Sequence, residues 1–205
     1  MKYDEFRNFK ITRTCNKEYK RYKSYKKFLK KDFHNRCAYC NTWDFIIEPL
    51  GFAIDHYVPR KTFKNIDKTF NNNYNNLMYV CPKCNREKSD KFKGDTNKLE
   101  IKNELFYNPA EKDYNQIFFR NEFGGIDSED EKAREMMKEL KLYRPLYNFA
   151  WLLEKLINTR EKIKSKINEN NISLEKKEKL EKCLTKINDY YIDMEKLFKK
   201  SYKMK

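Results

Sequence analysis

"FAIDHYVPRK", Phe52 to Lys61, sets one of the chain's two histidines directly beside an aspartate, after a short apolar run and three residues before a proline. Phe52 and Ile54 alternate with Ala53 and Asp55, the period of a half-buried strand. Pro59 should end regular pairing, since it has no N–H to give to a ladder. Asp55 and His56 therefore sit at a strand end, where two reactive side chains are presented together.

Two cysteine pairs bracket this strand, "CAYC" at Cys37 and Cys40 and "CPKC" at Cys81 and Cys84, while Cys15 and Cys183 stand alone. Each CxxC knuckle turns two thiolates toward one point, about 2.3 Å from a metal. Four such ligands satisfy zinc, so the spacing predicts a structural Zn2+ that staples segments far apart in sequence. A disulfide framework is disfavoured in a reducing compartment. A thioredoxin-like role for "CPKC" needs a βαβ setting that its neighbours do not offer. His34, three residues before Cys37, is expected to be a surface or DNA-facing residue, with replacement of a ligand as the other reading. Between strand and second knuckle lies "KTFKNIDKTFNNNYNN", with six Asn between positions 65 and 76, a loop composition. "NLMYVCPKCNREKSDKF" then reads as a second apolar strand, the second knuckle and the start of a helix.

The chain has 205 residues, enough for one core with appendages. Its 46 Lys and Arg against 31 Asp and Glu, with 16% aromatic residues, suit a polyanion and exposed bases, so nucleic acid is the expected partner. No apolar stretch of about 18 residues exists, and "MKYDEFRNFK" lacks the apolar core of a secretion signal. The expected location is the cytoplasm, with no membrane partner. Residues 1–36 hold 13 basic against 4 acidic residues. There Tyr19, Tyr22, Tyr25, Leu29 and Phe33 recur every three or four positions, predicting a helix with one apolar stripe. Lys20, Lys23, Lys26 and Lys27 lie on a face able to track phosphates or simply to be solvated.

The combination of "CAYC", "IDHYVP", "NNL" and "CPKCNREK", in that order over residues 34–93, resembles the HNH nucleases of the ββα-metal class. The resemblance implies His56 as general base, Asp55 as a ligand of a catalytic Mg2+ or Mn2+, Asn76 as the asparagine that braces the loop, and Asn85 as the second ligand of that ion. The last motif position is often His; here it is Asn, as in zinc-bearing members where an Asn after the final Cys supplies a carbonyl oxygen. The chemistry agrees. Phosphodiester hydrolysis needs an activated water and a cation on the phosphate, and a sparse ligand set leaves room for both. A neutral imidazole can take the proton, contributing on the order of 100-fold to 10,000-fold. Arg60 and Lys61 follow the Asp-His turn and are placed to grip the backbone. Lys88, about one helical turn past Cys84, either reaches a phosphate or is a solvated helix lysine. The bland alternative is a zinc-stapled nucleic-acid binding module without catalysis.

The expected architecture is α+β: a basic helical extension over 1–36, an HNH core over 37–93, a strand-turn-helix segment over 94–144 and a helical hairpin over 145–205. The third part shows an extended stretch around Ile117 to Phe123, a Gly124-Gly125 turn, and a helix opened by a Ser128-to-Glu131 capping box. In the fourth, Leu180, Leu184, Ile187, Tyr191, Met194 and Phe198 form a heptad-like seam, "NENNIS" turns the chain, and Ser173 caps the second helix. Strand-turn-helix segments of this kind resemble those of anti-phage Septu-type nucleases that work with an ATPase. That resemblance implies a defence role and an ATPase or homo-oligomeric partner on the hairpin. The expected substrate is DNA, with RNA as the other polyanion.

Overall fold

A computed structural model gives the fold and describes residues 4–47, 51–63, 66–169 and 171–203. It is a mixed helix-and-sheet chain in two compact units, one ending at Tyr143 and the other beginning at Arg144. Among the described residues no helix is long and apolar enough to cross a membrane.

In the first unit, β2 (Ala53–His56) pairs antiparallel with β3 (Leu77–Val80), in a register that sets Asp55 opposite Met78 and His56 opposite Leu77. All four residues of β3 are buried, so this strand is apolar on both faces and carries the core. The chain leaves β3 straight into α3 (Pro82–Lys88). Cys81 is the N-cap, its Sγ accepting the Cys84 N–H, and Pro82 takes the first turn, where its missing N–H is not needed. The Asn-rich loop between the strands is built of two 3-10 turns, Lys68–Asn72 and Tyr74–Asn76. Asp67 and Asn73 open them by accepting the Thr69 and Asn75 N–H groups.

Residues ahead of the first knuckle are woven into this unit. β1 (Asp4–Glu5) pairs with β4 (Phe119–Arg120), which pairs with β5 (Ile126–Asp127), a three-stranded sheet joining sequence ends more than a hundred residues apart. The expected long front helix is shorter than its periodicity suggests. A 3-10 turn at Tyr22–Tyr25 leads into α1 (Lys26–Asp32), and only Tyr25, Leu29 and Phe33 of the stripe are buried. A short helix, α2 (Asp44–Ile47), follows the first knuckle.

The β4–β5 hairpin turns with Gly124 at φ +73°, and α4 (Glu131–Glu139) comes next. Its cap is Asp130, which accepts the Ala133 N–H at 2.7 Å, and not the expected Ser128. The Ser128 hydroxyl donates to the Ile117 carbonyl instead and so closes the hairpin.

The second unit is a pair of long helices, α5 (Pro145–Ile167) and α6 (Leu174–Lys203), packed on one another with the Arg160 guanidinium over the Tyr191 ring. The Ser173 hydroxyl accepts the Lys176 N–H at the start of α6, as expected, while part of the turn, at residue 170, lies outside the described residues. Of the heptad-like seam, Phe198 is buried and the other five residues are half-buried.

Candidate active site and metal centre

The four knuckle cysteines converge. Their Sγ atoms all lie within 4.8 Å of one another and all four are buried. The Cys40 and Cys81 sulfurs are 3.8 Å apart, and a tetrahedron with metal–sulfur bonds of about 2.3 Å has edges of about 3.8 Å. Backbone N–H groups already point at the sulfurs, Cys81 N–H at Cys37 Sγ and Cys84 N–H at Cys81 Sγ. Burial pushes the Cys81 and Cys84 thiols up, so a bound dication would replace protons there. His34 stands outside this group, its ring tilted at 33° and 4.2 Å from the Phe9 ring. Donor set, spacing and burial thus fit a tetrahedral ion of the zinc type.

Two arginines invisible to motif reasoning hold the first knuckle from behind. Buried Arg7 donates to the Ala38 carbonyl at 2.8 Å, and buried Arg120 donates to the Cys40 carbonyl at 3.0 Å. The Phe6 ring lies under both guanidinium groups. Burial lowers Arg7 to about 10, which still leaves it cationic at neutral pH, beside thiols whose ionised forms it favours. Asn41, directly after Cys40, takes φ +59°, a conformation asparagine tolerates, and its amide donates to the Phe6 carbonyl. The only sequence sign of this brace is two basic residues in apolar company.

At the other end of β2, Asp55 and His56 line a cleft of about 600 Å3 with Tyr22, Arg60, Asn71 and Asn85. His56 Nε2 lies 2.9 Å from the Asn71 carbonyl. A carbonyl only accepts, so this bond places the proton on Nε2 and leaves Nδ1 as the acceptor. Burial, helped by the charges of Arg60 and Lys88, lowers the imidazole to about 4 against the pull of the Asn71 bond. His56 is therefore neutral at physiological pH, the state a proton acceptor needs.

Asn76 braces the turn that follows. Its side chain accepts the Val58 N–H at 2.8 Å and donates to the Val58 carbonyl at 3.0 Å, and its own carbonyl accepts the Tyr57 N–H. The bend after His56 is thus pinned by one buried residue.

Lys88 departs from both of its expected roles. It is fully buried, with Nζ 3.1 Å from Asp55 Oδ2 and 2.8 Å from the His56 carbonyl. The expected phosphate contact is replaced by an internal ion pair, because the helical turn that carries Lys88 past Cys84 aims it under β2 and not at solvent. The Tyr39 hydroxyl donates to the same carboxylate at 2.9 Å. Burial raises Asp55, opposed by Lys88 and Tyr39, which favour the ionised form. As donors for a cation, Asp55 and Asn85 share the cleft and are oxygen-bearing, which fits Mg2+ or Mn2+. The carboxylate would keep its two internal partners while offering its remaining lone pairs.

Arg60 and Lys61 are exposed at the cleft, Arg60 over the Tyr22 ring and Lys61 paired with Asp90. Lys20, Lys23, Lys26 and Lys27 are all exposed.

Comparison with known proteins meets this geometry at the same residues. The chain is 27% identical over 137 residues to the Septu protein PtuA of Bacillus mycoides (strain KBAB4), an alignment that covers 58% of this chain and 19% of that protein. No solved structure matches the chain. The HNH endonuclease family model matches residues 37–91, from the first knuckle cysteine to just beyond Lys88, and so takes in the four sulfurs, the Asp55-His56 strand end and the helix of Asn85.

Proposed function

We propose that the chain is a metal-dependent endonuclease with an HNH core of the ββα-metal type, in which β2, β3 and α3 are the two strands and the helix. The observation that carries the reading is the tie of His56 Nε2 to the Asn71 carbonyl, which leaves Nδ1 as the proton acceptor, in a cleft that also holds Asp55 and Asn85. The cleft is open enough for a phosphodiester, and Arg60 and Lys61 at its mouth supply positive charge for the backbone. In the proposed step His56 takes a proton from water as the water attacks phosphorus, and the bond to the 3′ or 5′ oxygen breaks, that oxygen leaving with the electron pair and taking a proton from solvent. Asp55 and Asn85 would hold a Mg2+-type ion, whose chemistry is to neutralise charge on the phosphate oxygens. Cys37, Cys40, Cys81 and Cys84 would hold Zn2+, giving about 10 kcal/mol or more of binding energy that doubles as folding energy.

DNA is the proposed substrate, with RNA as the test's other arm, and the exposed lysines of the front segment are the proposed phosphate track. The likeness to a Septu protein supports a role in anti-phage defence, and an ATPase or a second copy is the proposed partner, on the α5–α6 hairpin. The binding-module reading draws on one observation, that the Asp55 charge is already compensated by Lys88.

The test is cleavage of plasmid DNA and of an RNA of similar length, with Mg2+, with Mn2+ and with chelator. The proposal expects DNA cutting that needs the divalent ion and is lost in Asp55→Ala. Binding without cutting under every metal would establish the module instead.

A further inference from the structure

We propose that Tyr22, which precedes the HNH match, is a positioning residue of the catalytic site, holding the His56 imidazole and the Arg60 guanidinium against one wall of the cleft. The inference rests on the reading of His56 as the base and adds a residue that the motif does not contain.

The Tyr22 and His56 rings meet at 4.9 Å and 71°, edge to face. The Arg60 guanidinium carbon lies 5.5 Å from the centre of the same tyrosine ring. One aromatic ring thus touches the proton acceptor and the cation nearest the phosphate side. Edge-to-face and cation–π contacts of this geometry favour one ring orientation over the others.

Two successive asparagines tie the tyrosine and the histidine to one turn. The Tyr22 N–H donates to Asn72 Oδ1 at 2.9 Å, and His56 Nε2 donates to the Asn71 carbonyl at 2.9 Å. A single hydrogen bond at Nε2 leaves the imidazole free to swing about that bond. The Tyr22 ring removes this freedom and fixes the imidazole plane at the cleft.

Tyr22 is itself held. It opens the 3-10 turn Tyr22–Tyr25, and in a helix of three residues per turn side chains at i and i+3 eclipse, which sends Tyr22 and Tyr25 to the same side. Tyr25 is buried and stacked on Tyr74 at 4.9 Å and 27°. Its hydroxyl accepts the Tyr19 N–H at 2.9 Å, and the Tyr74 hydroxyl donates to Asp32. A firm aromatic stack thus anchors one end of the turn while Tyr22, half-buried, forms the cleft wall at the other.

The full-length Tyr22→Leu and Tyr22→Phe variants test the assignment by two readouts. In steady-state DNA cleavage, Tyr22→Leu should lower kcat by about 10-fold to 100-fold with KM within about threefold, and Tyr22→Phe should keep the wild-type rate, because the ring and not the hydroxyl makes the contacts. The imidazole C–H signals of His56 should shift in Tyr22→Leu and stay in Tyr22→Phe, with those of His34 unmoved as an internal control. A Tyr22→Leu enzyme with wild-type rate, a loss confined to KM, or a stationary His56 signal overturns the proposal while leaving His56 as the base. A wild type that cuts nothing strikes the function reading instead, and the His56 signal then decides the positioning assignment alone.

Discussion

His56 is held neutral by burial, and this has a stability consequence with a definite sign. Its folded value of about 4 lies below the ordinary value of 6.5, so between these pH values the unfolded chain binds more protons than the folded one. Stability is full above about pH 6.5 and falls, by a few kcal/mol at most, as pH drops toward 4. Urea unfolding of wild type and His56→Gln across pH 4–7 should show this slope in the first and its flattening in the second. Lys88 makes the complementary prediction. Lys88→Met leaves the Asp55 carboxylate buried without its cation and should cost about 3–5 kcal/mol, part of which the double variant with Asp55→Asn recovers. Equal stability of Lys88→Met and wild type would mean that water reaches Asp55 freely. Asp55, His56, Asn76 and Asn85 were legible as a group through the resemblance of their motifs to the HNH nucleases. Burial of Lys88 was not legible, because the same helical offset serves a lysine under a strand and a lysine in solvent. Tyr22 escaped for another reason: a spacing of three suits an α-helical stripe and a 3-10 turn equally, and only the turn sends it to His56.

At the scale of elements, the CxxC knuckles announced their own convergence, since two such turns at one ion need little from the rest of the chain. What the knuckle leans on was hidden, because β1 pairing with β4 and the two guanidinium groups behind Cys37 and Cys40 join segments that no local pattern links. The brace has a measurable effect. Four thiolates around a dication carry a net double negative charge, and Arg7 and Arg120 supply two buried positive charges next to that knuckle. Arg120→Met should therefore release zinc to a chelator several-fold faster than wild type, while Lys138→Met, at an exposed position of α4, should not. Equal release rates would reduce the arginines to backbone clamps. The Asp130 cap shows the limit of short motifs: Ser128 and Asp130 both suit an N-cap, and the pull of the Ile117 carbonyl on Ser128 decides between them.

Over the whole molecule, positive charge and chemistry come from different stretches that the first unit brings together. The front segment carries exposed Lys20, Lys23, Lys26 and Lys27, and its Tyr22 reaches the cleft. Each phosphate neutralised on duplex DNA adds about −0.9 to the slope of log affinity against log salt. Replacing the four lysines by Gln should flatten that slope by up to about 3.6 without changing the metal requirement, and an unchanged slope would leave the run a solvated face. Tyr190, Ile192 and Leu197 of the α5–α6 hairpin are exposed, and the hairpin is the element proposed for a partner. The proposed chemistry turns on one atom, Nδ1 of His56, and the single-turnover DNA cleavage rate of His56→Ala against wild type, at saturating Mg2+ or Mn2+, tests it. The rate should fall on the order of 100-fold to 10,000-fold with zinc content and DNA affinity unchanged. Cutting by His56→Ala at the wild-type rate would contradict it.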